Sequence, residues 1–393
     1  MPDLRLAARC SRISRSPTLA IMAKAMELRA AGTDLVDFSA GQPDFDTPKP
    51  IQDAGVHAIR SGKTRYTPTS GDPELRAAVA AAYRRDFDLE PEVRNVLITN
   101  GGKHALMGLL LATCDEGDEV IIPTPCWPSF PALVRLVGAT PVFAPGGEGA
   151  DLAPDPEAIA RAAGPSTRAI ILNVPGNPTG GSLSRTGLER VARVAREADA
   201  WLIWDDTYVH LLFEPAPSGA FRRMADILGH RLLINGSASK SFAMTGWRIG
   251  WAIGPDPIIR AATAFQSQMT SNACSISQAA AITALETDPS DFAWMSEVFR
   301  RRMQRMRAGL LTIPGVHCGV PDGGFYLFPD FRDRLLPGED SNALAAALLE
   351  ERHVAVVPGA AFRGEGHLRL SFTTPDERID EGIVRIRAFF AAR

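Results

Sequence analysis

The chain has 393 residues and a mass of 42.2 kDa, enough for two domains of roughly 100–200 residues each and for a core that needs no disulfide or metal to hold it. Apolar residues make up 45% and charged residues 22%, which excludes a disordered, collagen-like or coiled-coil chain. The formal net charge of -3 excludes a nucleic-acid or membrane-surface role that rests on bulk positive charge.

In chain order, the first 44 residues hold an expected helix over 18–31 and a strand over 35–39. From there, short apolar β-branched runs alternate with helical stretches. Strands are expected at 96–99, 119–123, 141–144, 169–174, 201–204, 232–235 and 249–253, with helices such as 103–112 and 185–198 between them. Continuous apolar strands separated by amphipathic helices predict a mostly parallel sheet covered on both faces. The expected fold class is therefore α/β, with a large doubly wound domain over residues 45–289. A long charged helix over 292–311, a Pro-Gly turn, short strands around Gly323-Gly324 and a strand over 367–372 predict a smaller α+β domain. Residues 1–44 and 290–393 make up that second part.

No stretch approaches the roughly 18 consecutive apolar residues of a transmembrane helix, and the first 20 residues lack the apolar centre of a secretory leader. Five scattered cysteines with no CxxC spacing read as free thiols, so a cytoplasmic protein is expected, with no membrane partner. The histidines show no metal-ligand spacing, and no metal is expected.

In a parallel sheet, ligands bind beyond the carboxyl ends of the strands, and four strand ends carry chemistry. After 96–99 comes Asn100-Gly101-Gly102-Lys103, opening a helix. It reads either as a plain turn or as backbone N–H groups cradling a phosphate. After 169–174 comes Pro175-Gly176-Asn177-Pro178-Thr179-Gly180, a set of tight turns with an amide at its tip. After 201–204 come Asp205, Asp206 and Tyr208; on extended backbone only one of the two aspartates can face the crevice. After 232–235 comes Gly236-Ser237-Ala238-Ser239-Lys240. The chain has only five lysines (Lys24, Lys49, Lys63, Lys103 and Lys240), so one buried at a strand end stands out. Its amine would lose proton affinity and become a nucleophile toward aldehydes. Together these ends supply what pyridoxal 5'-phosphate needs: a Schiff-base lysine, a carboxylate for the ring nitrogen and a phosphate clamp.

The run Ser237-Ala238-Ser239-Lys240-Ser241-Phe242-Ala243-Met244-Thr245-Gly246-Trp247-Arg248 resembles the signature of class I aminotransferases of fold type I. Asn177-Pro178-Thr179-Gly180, the opening Gly41-Gln42-Pro43-Asp44, Tyr66 ahead of Gly71-Asp72-Pro73-Glu74-Leu75-Arg76, and Leu368-Arg369-Leu370-Ser371 are similar too. The resemblance spans nearly the whole chain and is closest to bacterial aspartate aminotransferases of subgroup Iβ.

That resemblance implies roles. Lys240 is the Schiff-base lysine and proton shuttle, and Asp205 keeps the pyridine nitrogen protonated. Tyr208 and Asn177 hydrogen-bond the cofactor's phenolic oxygen, and Trp127 stacks on its ring. Gly102, Lys103, Ser237 and Arg248 clamp the phosphate. Arg369 forks onto the substrate α-carboxylate, and Gly41 lies in the loop closing over it. Tyr66 reaches the phosphate from a second subunit, implying a homodimer with shared sites. In the resembling branch the Lys103 position assists a distal carboxylate with hydroxyls matching Ser16 and Thr18, which implies aspartate or glutamate as donor and 2-oxoglutarate as acceptor. The sequence departs by placing Asp206 where Glu is commoner and Trp204 where a smaller residue is usual. Rival expectations are aromatic, methionine or kynurenine donors, a β-eliminating C–S lyase on the same apparatus, or a non-catalytic sensor.

Overall fold

The computed structural model describes residues 7, 10, 17–147, 152–214 and 219–393, with the side chains of 17–22 outside that description. In chain order the strands are β1 (Val36–Asp37), β2 (Val96–Thr99), β3 (Glu119–Thr124), β4 (Thr140–Pro145), β5 (Thr167–Asn173), β6 (Trp201–Asp205), β7 (Leu232–Ser237), β8 (Gly250–Ile253), β9 (Tyr326–Leu327), β10 (Val354–Ala355), β11 (Val357–Pro358) and β12 (Leu368–Ser371).

A seven-stranded sheet runs in the order β2-β8-β7-β6-β5-β3-β4. β8 is antiparallel to both β2 and β7, while β7, β6, β5, β3 and β4 are mutually parallel. Alternate residues feed two separate cores, as the two-residue period of a strand requires. Ile170, Leu172, Leu202 and Trp204 pack with Leu188 and Val191 of the helix Arg185–Glu197 and Val79 of the helix Pro73–Phe87. Ile171 and Ile203 pack on the other face with Leu106 and Leu109 of the helix Gly102–Thr113 and with Ala262 of the helix Asp256–Met269. Both faces are dry, which is why these strands read as unbroken apolar runs. Trp204 is fully buried and stacks on Phe221 with ring centroids 4.1 Å apart, so the space a smaller residue would leave is filled by the indole.

The structure extends β7 two residues beyond the expected 232–235. Gly236 and Ser237 carry no apolar signal, but their backbones pair with Trp251 and Gly250 of β8. Toward the C-terminus, β11, β12 and β9 form an antiparallel sheet. It shares a core with Phe299, Met303 and Met306 of the helix Ala293–Leu310 and Ile379 and Ile383 of the helix Asp376–Ala391. β1 pairs with β10 in parallel register, Val36 opposite Val354, so the N-terminal strand joins this second core together with Phe38. Tyr208 and Leu211, just beyond β6, also enter it.

Gly250 sits where three backbones meet. A Cβ there would lie 2.6 Å from the Gly101 carbonyl carbon, 2.8 Å from the Gly236 carbonyl oxygen, and against the Gly102 nitrogen. Backbone cannot step aside as a flexible side chain does. Gly250→Ala is expected to cost about 1–3 kcal/mol of stability, read as a lower midpoint in thermal melts; an unchanged midpoint would show that the three segments are free to separate.

Candidate active site

Because β8 runs against its neighbours, its first residue lies at the same sheet edge as the last residues of β2, β5, β6 and β7. A cavity of about 290 Å3 opens there. Lining it together are Gly41, Gly102, Lys103, Trp127, Asn177, Asp205, Tyr208, Ser237, Lys240, Arg248 and Arg369. The residues singled out from the sequence thus come from positions 41 to 369 to one place. Three do not join them. Ser16 lies outside the described residues, and Thr18 falls in the helix Pro17–Ala30 with its side chain outside the description. Tyr66 is 88% exposed and away from the cavity of its own chain.

The glycine turn after β2 has the geometry an anion cradle needs. Gly101 has φ 87° and precedes the helix Gly102–Thr113, whose first N–H groups have no carbonyl one turn back. A Cβ on Gly101 would lie 3.1 Å from the Arg248 guanidinium carbon, and one on Gly102 would lie 3.2 Å from Ser237 Cβ. Only glycines let the guanidinium and the serine close on the turn. Burial and the Arg248 charge both lower the proton affinity of Lys103, whose ammonium stands 4.8 Å from the Trp127 ring centroid. Helix N-terminus, lysine, arginine and serine make a donor set suited to phosphate.

The two aspartates part as the strand period demands. Asp205 lines the cavity, accepts from the Thr207 N–H at 3.1 Å and is bonded by the Asn235 amide. Burial raises its pKa, and those hydrogen bonds oppose the rise. Asp206 turns away and accepts from the Tyr83 hydroxyl, which accepts in turn from Trp251 Nε1 at 2.9 Å. Burial pushes the Asp206 carboxyl well above the ordinary range.

Lys240 follows β7 on a short turn of helix, Ala238–Ser241, capped by the Ser237 hydroxyl accepting from Ser239 N–H at 3.1 Å. Its amine donates to the Gly41 carbonyl at 2.6 Å. Burial first, then the Arg248 and Arg369 charges, lower its pKa to about 8. Arg369 is 4% exposed and donates to Asn177 Oδ1 at 3.2 Å and the Ser39 carbonyl at 2.9 Å. Its Nε is buried and has no hydrogen-bond partner among the described residues. Among the described residues, Lys103, Lys240, Arg248 and Arg369 have no ion pair with a carboxylate, and Asp205 is the one acidic side chain lining the cavity.

Sequence reasoning missed Ser39, Phe130, Asn173, Thr207, Asn235, Ser239 and Tyr326, all of which line the same cavity. Tyr326 carried one signal: the chain has only four tyrosines. The others are brought in by strand register, which polar side chains at strand ends do not announce. A larger cavity of about 490 Å3, lined by Phe87, Phe213, Phe242 and Phe292, lies behind residues 209–214. Its Arg85 and Arg300 are already paired with Asp86 and Glu297, so it offers no free charge.

Residues 33–386 match the family described as aminotransferase class I and II. The chain is 39% identical to an aspartate aminotransferase of Bacillus subtilis over 388 residues, covering 98% of this chain and 99% of that one. It is 41% identical to an aspartate/prephenate aminotransferase of Cereibacter sphaeroides over 389 residues, 97% of each chain. The solved structure of the Thermus thermophilus aspartate aminotransferase with maleate superposes with a TM-score of 0.92 at 38% identity, covering 98% of this chain and 99% of that one.

The Lys240 environment makes a pH-dependent prediction. In protein stripped of small molecules, modification of Lys240 by an aldehyde reagent should rise with pH through a midpoint about 8, as the neutral amine accumulates. Arg369→Ala removes one of the charges that favour the neutral amine, so its midpoint should move upward. Peptide mapping of the labelled lysine reads both, and a midpoint that ignores Arg369 would refute the electrostatic account.

Proposed function

The chain belongs to the aminotransferase class I and II family, whose members depend on pyridoxal 5'-phosphate, and on that premise we propose that it moves the α-amino group of aspartate or glutamate to a 2-oxo acid such as 2-oxoglutarate, in a ping-pong cycle. The carrying observation is the charge imbalance of the cavity: Lys103, Lys240, Arg248 and Arg369 face a single carboxylate, Asp205. A phosphate and the two carboxylates of a dicarboxylic substrate are the anions that such a cavity would balance. The aspartate aminotransferase relatives support the reading, as does the maleate, a dicarboxylate, in the Thermus thermophilus structure.

The residues fit the cofactor. The Gly102–Lys103 backbone with Ser237 and Arg248 would hold its phosphate, and Trp127 would face its ring. Asp205 would sit at the ring nitrogen, with Tyr208 and Asn177 at the phenolic oxygen. When bound, pyridoxal phosphate supplies the aldehyde for the amine and an electron sink for charge left at the substrate Cα. The protein's own groups do the rest. Lys240, whose buried amine loses its proton at about pH 8, would hold the cofactor and, once the substrate's amine has displaced its own, would be placed to take the Cα proton as a base. Asp205 would face the ring nitrogen and favour its protonated form, an electrostatic contribution present before the reaction starts. Arg369 fixes the α-carboxylate through two parallel N–H donors, so the Cα–H bond is oriented rather than free to rotate.

In this reading the enzyme is a homodimer, with the exposed Tyr66 of each subunit completing the phosphate cradle of the other. The cytoplasm is its compartment in this reading, in keeping with five scattered cysteines that show no CxxC spacing; among the described residues no helix is long and apolar enough to cross a membrane.

Asp205→Ala should slow the chemical step by several powers of ten, whereas Asp206→Ala should act mainly on stability, because Asp206 bonds Tyr83 and not the cavity. Single-turnover kinetics with aspartate separates the two, and a slower Asp206 variant would reverse the assignment. Lys103→Ala should lower kcat/KM for aspartate about ten- to a hundredfold, the equivalent of about 1.5–3 kcal/mol, while sparing aromatic and aliphatic donors. A panel of half-reactions checks this. Preference for phenylalanine, methionine or kynurenine over aspartate would overturn the dicarboxylate reading alone. Release of ammonia and pyruvate without an oxo-acid acceptor would point to the C–S lyase instead.

A further inference from the structure

Tyr326, at the start of β9, is 2% exposed and meets three separate parts of the cavity. Its ring lies against the Arg369 guanidinium, whose carbon is 4.2 Å from the centroid, and the Phe362 ring stands 5.0 Å from the same carbon. Its hydroxyl is 3.4 Å from the Tyr208 hydroxyl. The same oxygen lies 3.6 Å from where a Cβ on Gly41 would be, and the Gly41 carbonyl accepts from Lys240. Register explains the convergence: β9 pairs with β12 so that Ser371 opposes Tyr326 and Leu370 opposes Leu327, which brings Arg369 of β12 alongside. Phe325, 4.5 Å from the Tyr326 ring, packs into the second core and holds the strand in place.

Two physical consequences follow. A guanidinium between aromatic rings keeps its plane, and the attraction strengthens away from water. Among the described residues Arg369 makes two other hydrogen bonds, to Asn177 and Ser39, so the rings are the remaining contacts that orient its fork. A phenol, for its part, donates one hydrogen bond and accepts others. If Tyr208 gives its proton to the cofactor's phenolic oxygen, its own oxygen remains free to accept from Tyr326.

We propose that Tyr326 is a positioning residue serving both ends of the site: its ring aims Arg369 at the substrate α-carboxylate, and its hydroxyl donates to Tyr208, strengthening the Tyr208 bond to the cofactor oxygen. The proposal rests on the aminotransferase reading. The charged groups around the phenol pair are Arg369, Asp205 and Lys240, with Arg248 and Lys103 farther along the same wall. All of them stay in place in the variants below, so a change in titration belongs to Tyr326.

The experiment uses holoenzyme and two readouts: the pH midpoint of the bound cofactor's visible absorbance, and the Kd of succinate, an unreactive dicarboxylate, on the plateau of that titration. A donor to the phenolic oxygen stabilises the deprotonated form, so losing it raises the midpoint. Tyr326→Phe keeps the ring; its midpoint should rise by about half a unit, roughly threefold in proton affinity, with succinate affinity within about twofold of wild type. Tyr326→Leu loses both features, so the midpoint should rise and succinate should bind about tenfold more weakly. Tyr326→Met replaces it should the leucine variant not fold. A Tyr326→Phe midpoint equal to wild type, or unchanged succinate binding once the ring is gone, overturns the proposal. A purely structural role would lower thermal stability and move neither readout, which also overturns it. Failure of the wild-type enzyme to convert its absorbance with aspartate would sink the aminotransferase reading separately, before any Tyr326 variant is compared.

Discussion

Burial of the Lys240 amine among like charges is the constraint around which the site is arranged. An ammonium surrounded by Arg248 and Arg369 and removed from water is held in an unfavourable state, and the outcome is an amine that loses its proton at about pH 8. Every neighbouring feature either creates that condition or tolerates it. β8 runs backwards through the sheet, bringing Arg248 to the edge where the parallel strands end. The left-handed Arg248 backbone, φ 54°, and the glycines at 101 and 102 then let its guanidinium close on the helix N-terminus. Anions are what such a cavity lacks, and binding them relieves the repulsion that folding has stored there.

The sheet was legible because its strands are buried on both faces, and dry strands write themselves as apolar runs. Strand direction was less so. Nothing in Gly250-Trp251-Ala252-Ile253 says that this strand opposes its neighbours; the short connection from β7 through Lys240 and Arg248 is what turns the chain back. The C-terminal end of β7 was also hidden, because Gly236-Ser237 is held by backbone pairing rather than by apolar side chains.

The site divided along the same line. Residues that sit in glycine-flanked or lysine-poor surroundings, such as Lys240 and Gly102, announce themselves in one dimension. Tyr326 and Asn235 do not, since their place depends on which strand lies beside which. Asn235 is next to Asp205 only because β6 and β7 pair in that register. Ser16 and the Thr18 side chain fall outside the described residues.

Asp205 and Asp206 show how one strand end carries a single usable negative charge. Both carboxyls are pushed upward by burial. Asp205 has hydrogen bonds from Thr207 and Asn235 that favour its ionised form, and it faces a cavity lined with cations. Asp206 has the Tyr83 phenol, itself held by Trp251, and no cation. The charge on Asp205 adds to the burial of Asp206 and pushes its neighbour's pKa further up, against the Tyr83 hydrogen bond that lowers it. Alternation of side chains along the strand sends Asp205 toward the cavity and Asp206 toward the Tyr83 phenol in the core. Two adjacent acidic residues therefore differ in what opposes the cost of burial: hydrogen-bond donors and a cation-lined cavity for Asp205, a phenol for Asp206.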